Sequence, residues 1–105
     1  MALAEVNVIP IGTPTSSIGD WIAEAVRVLE KEGTKYELSP MGTLVEGRAS
    51  DILALVRKMH EAAFKKGIKR VVTTVIIDDR RDKEVTMKSK VASVKKRLRA
   101  SAKPK

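Results

Sequence analysis

From residue 2 to residue 11 the side chains alternate. Ala4, Val6 and Val8 fall on one side and Glu5, Asn7 and Ile9 on the other, which is the two-residue period of a β-strand. Pro10, Gly12 and Pro14 break that period. Ile18, Ile22, Ala25, Val26 and Leu29 then recur as the stripe of a helix. Ser17 and Asp20 are spaced as a shortened capping box at its start, and Gly33 stops it. Residues 35–40 and 43–48 read as two short strands joined by the tight connection Met41-Gly42. Ser50 and Asp51 stand where a second helix would be capped. Ile52, Leu55, Val56, Met59 and Ala63 form its apolar stripe, and Gly67 closes it after Lys65 and Lys66. Residues 69–79 make a fourth strand. Met87, Val91, Val94 and Leu98 share one face of a third helix, whose end should fray past Arg99.

The order β-α-β-β-α-β predicts an α+β fold, a ferredoxin-like sandwich with an extra C-terminal helix. Two helices would cover one face of an antiparallel sheet in strand order 4-1-3-2, leaving the other face open. Residues 1–82 would form the ferredoxin-like part. Residues 83–105 would add a basic helix and tail to the same single domain.

The fourth strand strains this picture. Val71, Thr73, Val75 and Ile77 point one way and Val72, Thr74 and Ile76 the other, so neither side is polar. Two helices can hide only one side. Burying a Val or Ile side chain contributes about 1.5–3 kcal/mol, and an exposed apolar edge strand invites pairing. Self-association through the sheet, as a homodimer or homotetramer, is therefore expected. A third helix lying over the face would be the monomeric solution. The rest of the open face carries Glu5, Asn7, Ile9, Glu37, Ser39, Leu44 and Glu46.

The net charge of +8 does not belong to the body of the chain. Residues 1–82 hold twelve basic and twelve acidic residues, whereas residues 83–105 hold nine basic residues and Glu84 alone. The basic excess describes a C-terminal segment, which opens an alternative reading: an interaction module whose basic helix binds nucleic acid or another acidic partner. Against base stacking on the sheet, the chain has one Trp, one Tyr and one Phe, and the first and third strands have no aromatic residue. Cysteine is absent, no apolar run is long enough to span a bilayer, and the N-terminus lacks the charged start of a signal peptide. A cytoplasmic protein is the expectation.

Chemistry is sparse. His60, the single histidine, lies one helical turn from Phe64 and reads as structural. Asp78, Asp79 and Asp82 are interleaved with Arg80 and Arg81, as in a salt-bridged loop, although paired carboxylates also admit an enzyme reading. No metal-ligand spacing, Walker pattern or dinucleotide fingerprint is present. The Ser-rich loop before the first helix offers hydroxyls and free N–H groups to a polar ligand.

Taken in order, several motifs resemble the thiamine-binding protein family, close to the YkoF binders of hydroxymethylpyrimidine and thiamine. They are Pro10-Ile11-Gly12 through Ser17-Ile18-Gly19, the run from Lys35 through Ser39, Pro40, Met41, Gly42 and Thr43, and the pair Glu46-Gly47. The likeness extends over residues 3–94. It implies a ferredoxin-like homo-oligomer that binds thiamine or its pyrimidine half without catalysis and with no cofactor. The binding role would fall on the loop before the first helix and on the hairpin. Pro10, Ile11, Gly12, Ile18 and Met41 would supply walls and backbone, and Ser16, Ser17, Ser39 and Thr43 polar contacts. Glu46, Glu37 or the Met41 sulfur would lie near the cationic thiazolium.

Overall fold

The computed structural model describes residues 1–65 and 67–100 in full, and the backbone of residues 101 and 102. Strand β1 (Ala2–Ile11) leads through a polar loop into helix α1 (Gly19–Lys31). The hairpin of β2 (Lys35–Ser39) and β3 (Gly42–Gly47) follows, then α2 (Ala49–Ala62), β4 (Arg70–Asp79) and α3 (Met87–Ala102). The antiparallel sheet has the order β2-β3-β1-β4, with β1 against both β3 and β4. This is the ferredoxin-like α+β arrangement that the element order predicts.

Burial follows the two-residue period. On β1, Ala2, Ala4, Val6 and Val8 are buried beneath the helices, where they meet Ala25 and Leu29 of α1, Ile52 and Met59 of α2, and Ala63 just past α2. Small side chains on the central strand leave room for Leu29, Ile52 and Met59, the largest fully buried groups. On β4, Val71, Val75 and Ile77 join this core.

The helix ends differ from expectation. Ile18 and Arg48 occupy the cap positions of α1 and α2, and no side chain caps either helix. Both helices begin early enough that Asp20 and Asp51 lie inside the first turn, where they still complement the positive helix end. Ser17 is engaged in its own loop: its N–H donates to Thr15 Oγ1 at 2.9 Å, and the Thr15 hydroxyl donates to the Ser17 carbonyl at 3.0 Å. Helix α2 stops at Ala62 rather than near Gly67. The Lys65 carbonyl accepts from Trp21 Nε1 at 3.2 Å and from the Ile68 N–H at 3.1 Å, so the chain turns away. Gly67, at φ 79°, completes that turn. The roles expected of Lys66 and of residues 103–105 lie outside the described residues, and α3 continues past Arg99 to Ala102. The hairpin turn falls on Pro40-Met41, because Ser39 pairs with Gly42.

Lys58 of α2 pairs with Glu32 at the end of α1. This bond, and the nearby positive charge, hold the Glu32 carboxyl below its ordinary range. A carboxyl lowered in the folded state stabilises above its ordinary pKa and loses that contribution as pH falls through its folded value. Because the pair is in solvent, Lys58→Ala is expected to return Glu32 to the ordinary carboxylate range by NMR titration, with the melting temperature nearly unchanged.

Helix α3 does not cover the open face. The start of the helix meets the sheet: the Met87 N–H donates to Glu46 Oε1 at 2.9 Å, Lys90 Nζ lies 2.8 Å from Asp78 Oδ2, and Val91 shares a hollow with Leu44 and Ile76. From Lys88 to Ala100 every residue is exposed. Ile76 in the middle of β4 remains 69% exposed, and no described helix is long and apolar enough to cross a membrane.

Candidate functional site

The strands of the sheet have unequal lengths, and that makes a notch. Pairing of β1 with β3 ends at Val6 opposite Thr43, while β1 runs on to Ile11 beside β4 alone. Past that point one edge of β1 has no strand against it, so alternate backbone N–H and C=O groups there lack ladder partners. The first half of α1 stands on one side of the gap and the hairpin turn on the other. They enclose a groove of about 300 Å³, at the low end of the roughly 300–1,000 Å³ usual for small-molecule pockets.

Its walls are mostly apolar: Val6, Val8 and Ile9 of β1, Ile18, Ile22 and Val26 from α1 and its cap, Leu38, Pro40 and Met41 of the hairpin, and Met59 at the base. Polar side chains enter at three places, Asn7, Ser39 and Thr43. The Ser39 hydroxyl donates to the Gly42 carbonyl at 2.8 Å, which fixes its direction and leaves its lone pairs as acceptors. Thr43 is buried. Among the described residues the Asn7 carboxamide has no hydrogen-bond partner. It lies against Gly42, where an added Cβ would stand 3.0 Å from Asn7 Oδ1 and 3.1 Å from Nδ2. Gly42→Ala should therefore turn the carboxamide aside. Folding should change by under about 1 kcal/mol, since a flexible tip can yield, and the Asn7 side-chain amide NMR signals should shift.

Of the residues singled out from sequence, Ile18, Ser39, Met41 and Thr43 meet in this groove. Pro10 is buried at the end of β1, with Ile11 exposed beside it and Gly12 beyond at φ 80°. Ser16 and Ser17 lie in the exposed loop, and none of these five lines the groove. Glu46 sits at the opposite end of the sheet, 6% exposed, between Lys35 Nζ at 3.1 Å and the Met87 N–H. Glu37 faces a second hollow, a trough of about 340 Å³ on the open face, with Leu3, Glu5, Leu44 and Ile76. Asn7, Ile22, Val26 and Leu38, not singled out from sequence, line the groove as well. The available signal was a helical stripe that starts before the strand beneath it has a neighbour.

The other candidate chemistry is engaged. His60 Nδ1 is 2.7 Å from Thr73 Oγ1, and its ring meets Phe64 edge-on at 5.3 Å. Asp78, Asp79 and Asp82 pair with Lys90, Arg81 and Arg80. Among the described residues no group of His, Cys, Asp and Glu could hold a metal ion.

The sequence model of the family described as "Thiamine-binding protein" matches residues 4–95. The chain belongs to the thiamine-binding protein family. UPF0045 protein YqgV of Bacillus subtilis is 50% identical over 102 residues, covering 93% of this chain and 98% of its own. A UPF0045 protein of Methanothermobacter thermautotrophicus is 43% identical over 99 residues, covering 93% of this chain and 100% of its own. A solved Methanocaldococcus jannaschii structure superposes with a TM-score of 0.82 at 33% identity, over 90% of this chain and 95% of that one. A Thermotoga maritima structure, described as that of a thiamine biosynthesis/salvage protein, gives 0.74 at 25% identity over 89% and 97%. The span shared with the thiamine-binding protein family includes the whole groove and the first half of α3.

Proposed function

We propose that the chain binds, without catalysis, a small heteroaromatic ligand of the thiamine or hydroxymethylpyrimidine type, in the groove between α1, the free edge of β1 and the hairpin. The observation that carries the reading is the Asn7 carboxamide, without a hydrogen-bond partner among the described residues, beside a mostly apolar groove. An aminopyrimidine presents a ring nitrogen acceptor beside an amino donor. A carboxamide offers the complementary donor and acceptor in one plane. Ile18, Ile22 and Met41 would flank the ring faces, and Ser39 and Thr43 would take further polar contacts. The working form is a cytoplasmic homo-oligomer that shelters its open sheet face, with Ile76 and Val72 of β4 as the side chains that gain most.

No carboxylate lines the groove. A thiazolium would find only the Met41 sulfur and solvent, so the pyrimidine half should supply most of the affinity. Calorimetry should give hydroxymethylpyrimidine and thiamine dissociation constants within about tenfold of each other, a difference under roughly 1.4 kcal/mol. Thiazole alone should give no heat. Absence of heat and of thermal shift with both pyrimidine ligands at high micromolar concentration would reject the assignment.

A further inference from the structure

Helix α3 holds Lys88, Lys90, Lys95, Lys96, Arg97 and Arg99 and no carboxylate. Like charges along one helix repel, so its start is held locally. The Thr86 N–H donates to Ser89 Oγ at 2.8 Å and the Ser89 N–H to Thr86 Oγ1 at 3.0 Å, a reciprocal pair of the capping-box kind. Few of the charges are neutralised within the chain. Lys90 pairs with Asp78, and Arg80 in the preceding loop with Asp82. The Arg97 guanidinium turns to the Ser93 hydroxyl instead. Among the described residues no carboxylate forms an ion pair with Lys88, Lys95, Lys96, Arg97 or Arg99, and all five are exposed.

These cations form two ridges. At about 100° per residue, Lys88, Lys95 and Arg99 fall within about 40° of one another, and Lys90 and Arg97 lie on nearly the opposite side. Arg80 and Lys83 of the loop after β4 join the second ridge around a hollow of about 380 Å³, in which Glu84 is the one carboxylate among the described lining residues. A polyanion with charges on two walls suits two ridges. The major groove of B-form DNA is about 12 Å wide, with phosphates along both edges, and a helix with its side chains is about 10–12 Å across. From Lys88 to Arg99 the helix rises about 17 Å, roughly one cation per 3 Å, against one phosphate per about 3.4 Å of strand. A lipid surface fits less well. A helix lying in a membrane interface keeps its charges to one face. Helix α3 carries them on both sides, and Val91 of its apolar stripe already shares a hollow with Leu44 and Ile76.

We infer that α3 and the loop before it bind duplex DNA, with the helix along the major groove, Lys88, Lys95 and Arg99 on the phosphates of one strand and Lys83 and Arg97 on those of the other. The helix has no Asn or Gln to pair with adenine, so its contacts position the chain on the duplex and carry little preference for sequence. The cations lie apart from the pyrimidine groove, none of them lining it. The basic excess of residues 83–105, beside a body of zero net charge, then belongs to a second binding surface.

Fluorescence anisotropy of a labelled DNA duplex of about 20 base pairs, titrated with the full-length chain over a range of salt, tests this. Engagement of about five cations predicts a slope of log affinity on log salt of about −4 to −5, a loss of roughly 500-fold between about 50 and 200 mM. Lys88→Gln/Lys95→Gln/Arg99→Gln should make that slope shallower by about three and weaken binding at least tenfold at the lower salt. Lys88→Arg/Lys95→Arg should bind as the natural chain does. Duplex RNA of the same sequence should bind at least tenfold more weakly, because its major groove is deep and narrow. Asn7→Leu should leave DNA binding unchanged, and the triple Gln variant should leave pyrimidine calorimetry unchanged, so the two sites fail separately. The proposal is overturned by a slope shallower than about −2, by a triple Gln variant that binds DNA like the natural chain, or by duplex RNA bound as tightly as DNA. Sedimentation with phosphatidylserine-containing vesicles and no anisotropy change with DNA would give the helix to a lipid surface instead. If far-UV circular dichroism shows that the triple variant has lost helix, the salt slope and the RNA comparison on the natural chain decide.

Discussion

Asn7→Leu is expected to weaken pyrimidine binding by about 30- to 150-fold and to leave the fold intact. The side chain sits on the open side of β1, half-buried, and takes no part in the core. Its loss should therefore change the melting temperature little. Its effect on the ligand is different in kind. Within the groove, the edge of an aminopyrimidine has exchanged water for protein, and a donor and acceptor left unmet there cost about 1–3 kcal/mol. Together they amount to roughly 2–3 kcal/mol, which converts to that range in dissociation constant. Asn7→Asp separates shape from hydrogen bonding. It keeps an acceptor but loses the donor, so it should retain the apolar contacts and lose about half of the free energy. Asn7→Leu binding hydroxymethylpyrimidine as well as the natural chain does would mean that the ligand does not use this edge of the groove.

Most of the fold is written in the two periods of the sequence. The inward Ala4, Val6 and Val8 and the helical sets around Leu29 and Met59 lie in one core because side-chain spacing alone decides which face of a strand or helix is apolar. Helix ends were less legible. Ser17 and Ser50 have the right chemistry for caps, but the helices start from Ile18 and Arg48, and the Ser17 main chain is held by the Thr15 hydroxyl. The groove was legible in part. Ser39, Met41 and Thr43, which line it, were singled out because the hairpin phrase carries the family resemblance. Asn7 was not found, since a polar residue on an alternating strand looks like a solvent-facing position. What makes it a candidate is that β3 begins only at Gly42. Where one strand stops relative to another is a property of the assembled sheet. Glu46 lies apart from the groove for the same reason. It is one residue before Gly47 in the motif-bearing hairpin, but the register turns it toward Lys35 and the start of α3.

That position makes Glu46 the residue whose loss should destabilise the fold most among the polar side chains. Glu46→Ala is expected to cost about 2–3 kcal/mol, lowering the melting temperature by roughly 10–20 °C. The carboxylate is buried while its partner Lys35 is 66% exposed, so the ion pair itself contributes modestly. The larger part comes from Oε1, which accepts the first free N–H of α3 at that helix's positive end. Among the described residues no other side chain of the sheet accepts from a main-chain N–H of α3. Its removal leaves the start of α3 held by the Lys90–Asp78 pair, which is in solvent, and by the Met87 and Val91 side chains. Glu46→Gln retains an acceptor for the Met87 N–H and gives up only the charge, so it should cost about 1 kcal/mol or less. If the two variants melt alike, the ion pair and not the helix contact dominates. Ligand binding, measured below the lowered melting temperature, decides the remaining question. Glu46→Ala should bind hydroxymethylpyrimidine like the natural chain, because the groove lies at the other end of β3. A selective loss of binding with the fold preserved would return Glu46 to the ligand site and move that site from the notch to the open face.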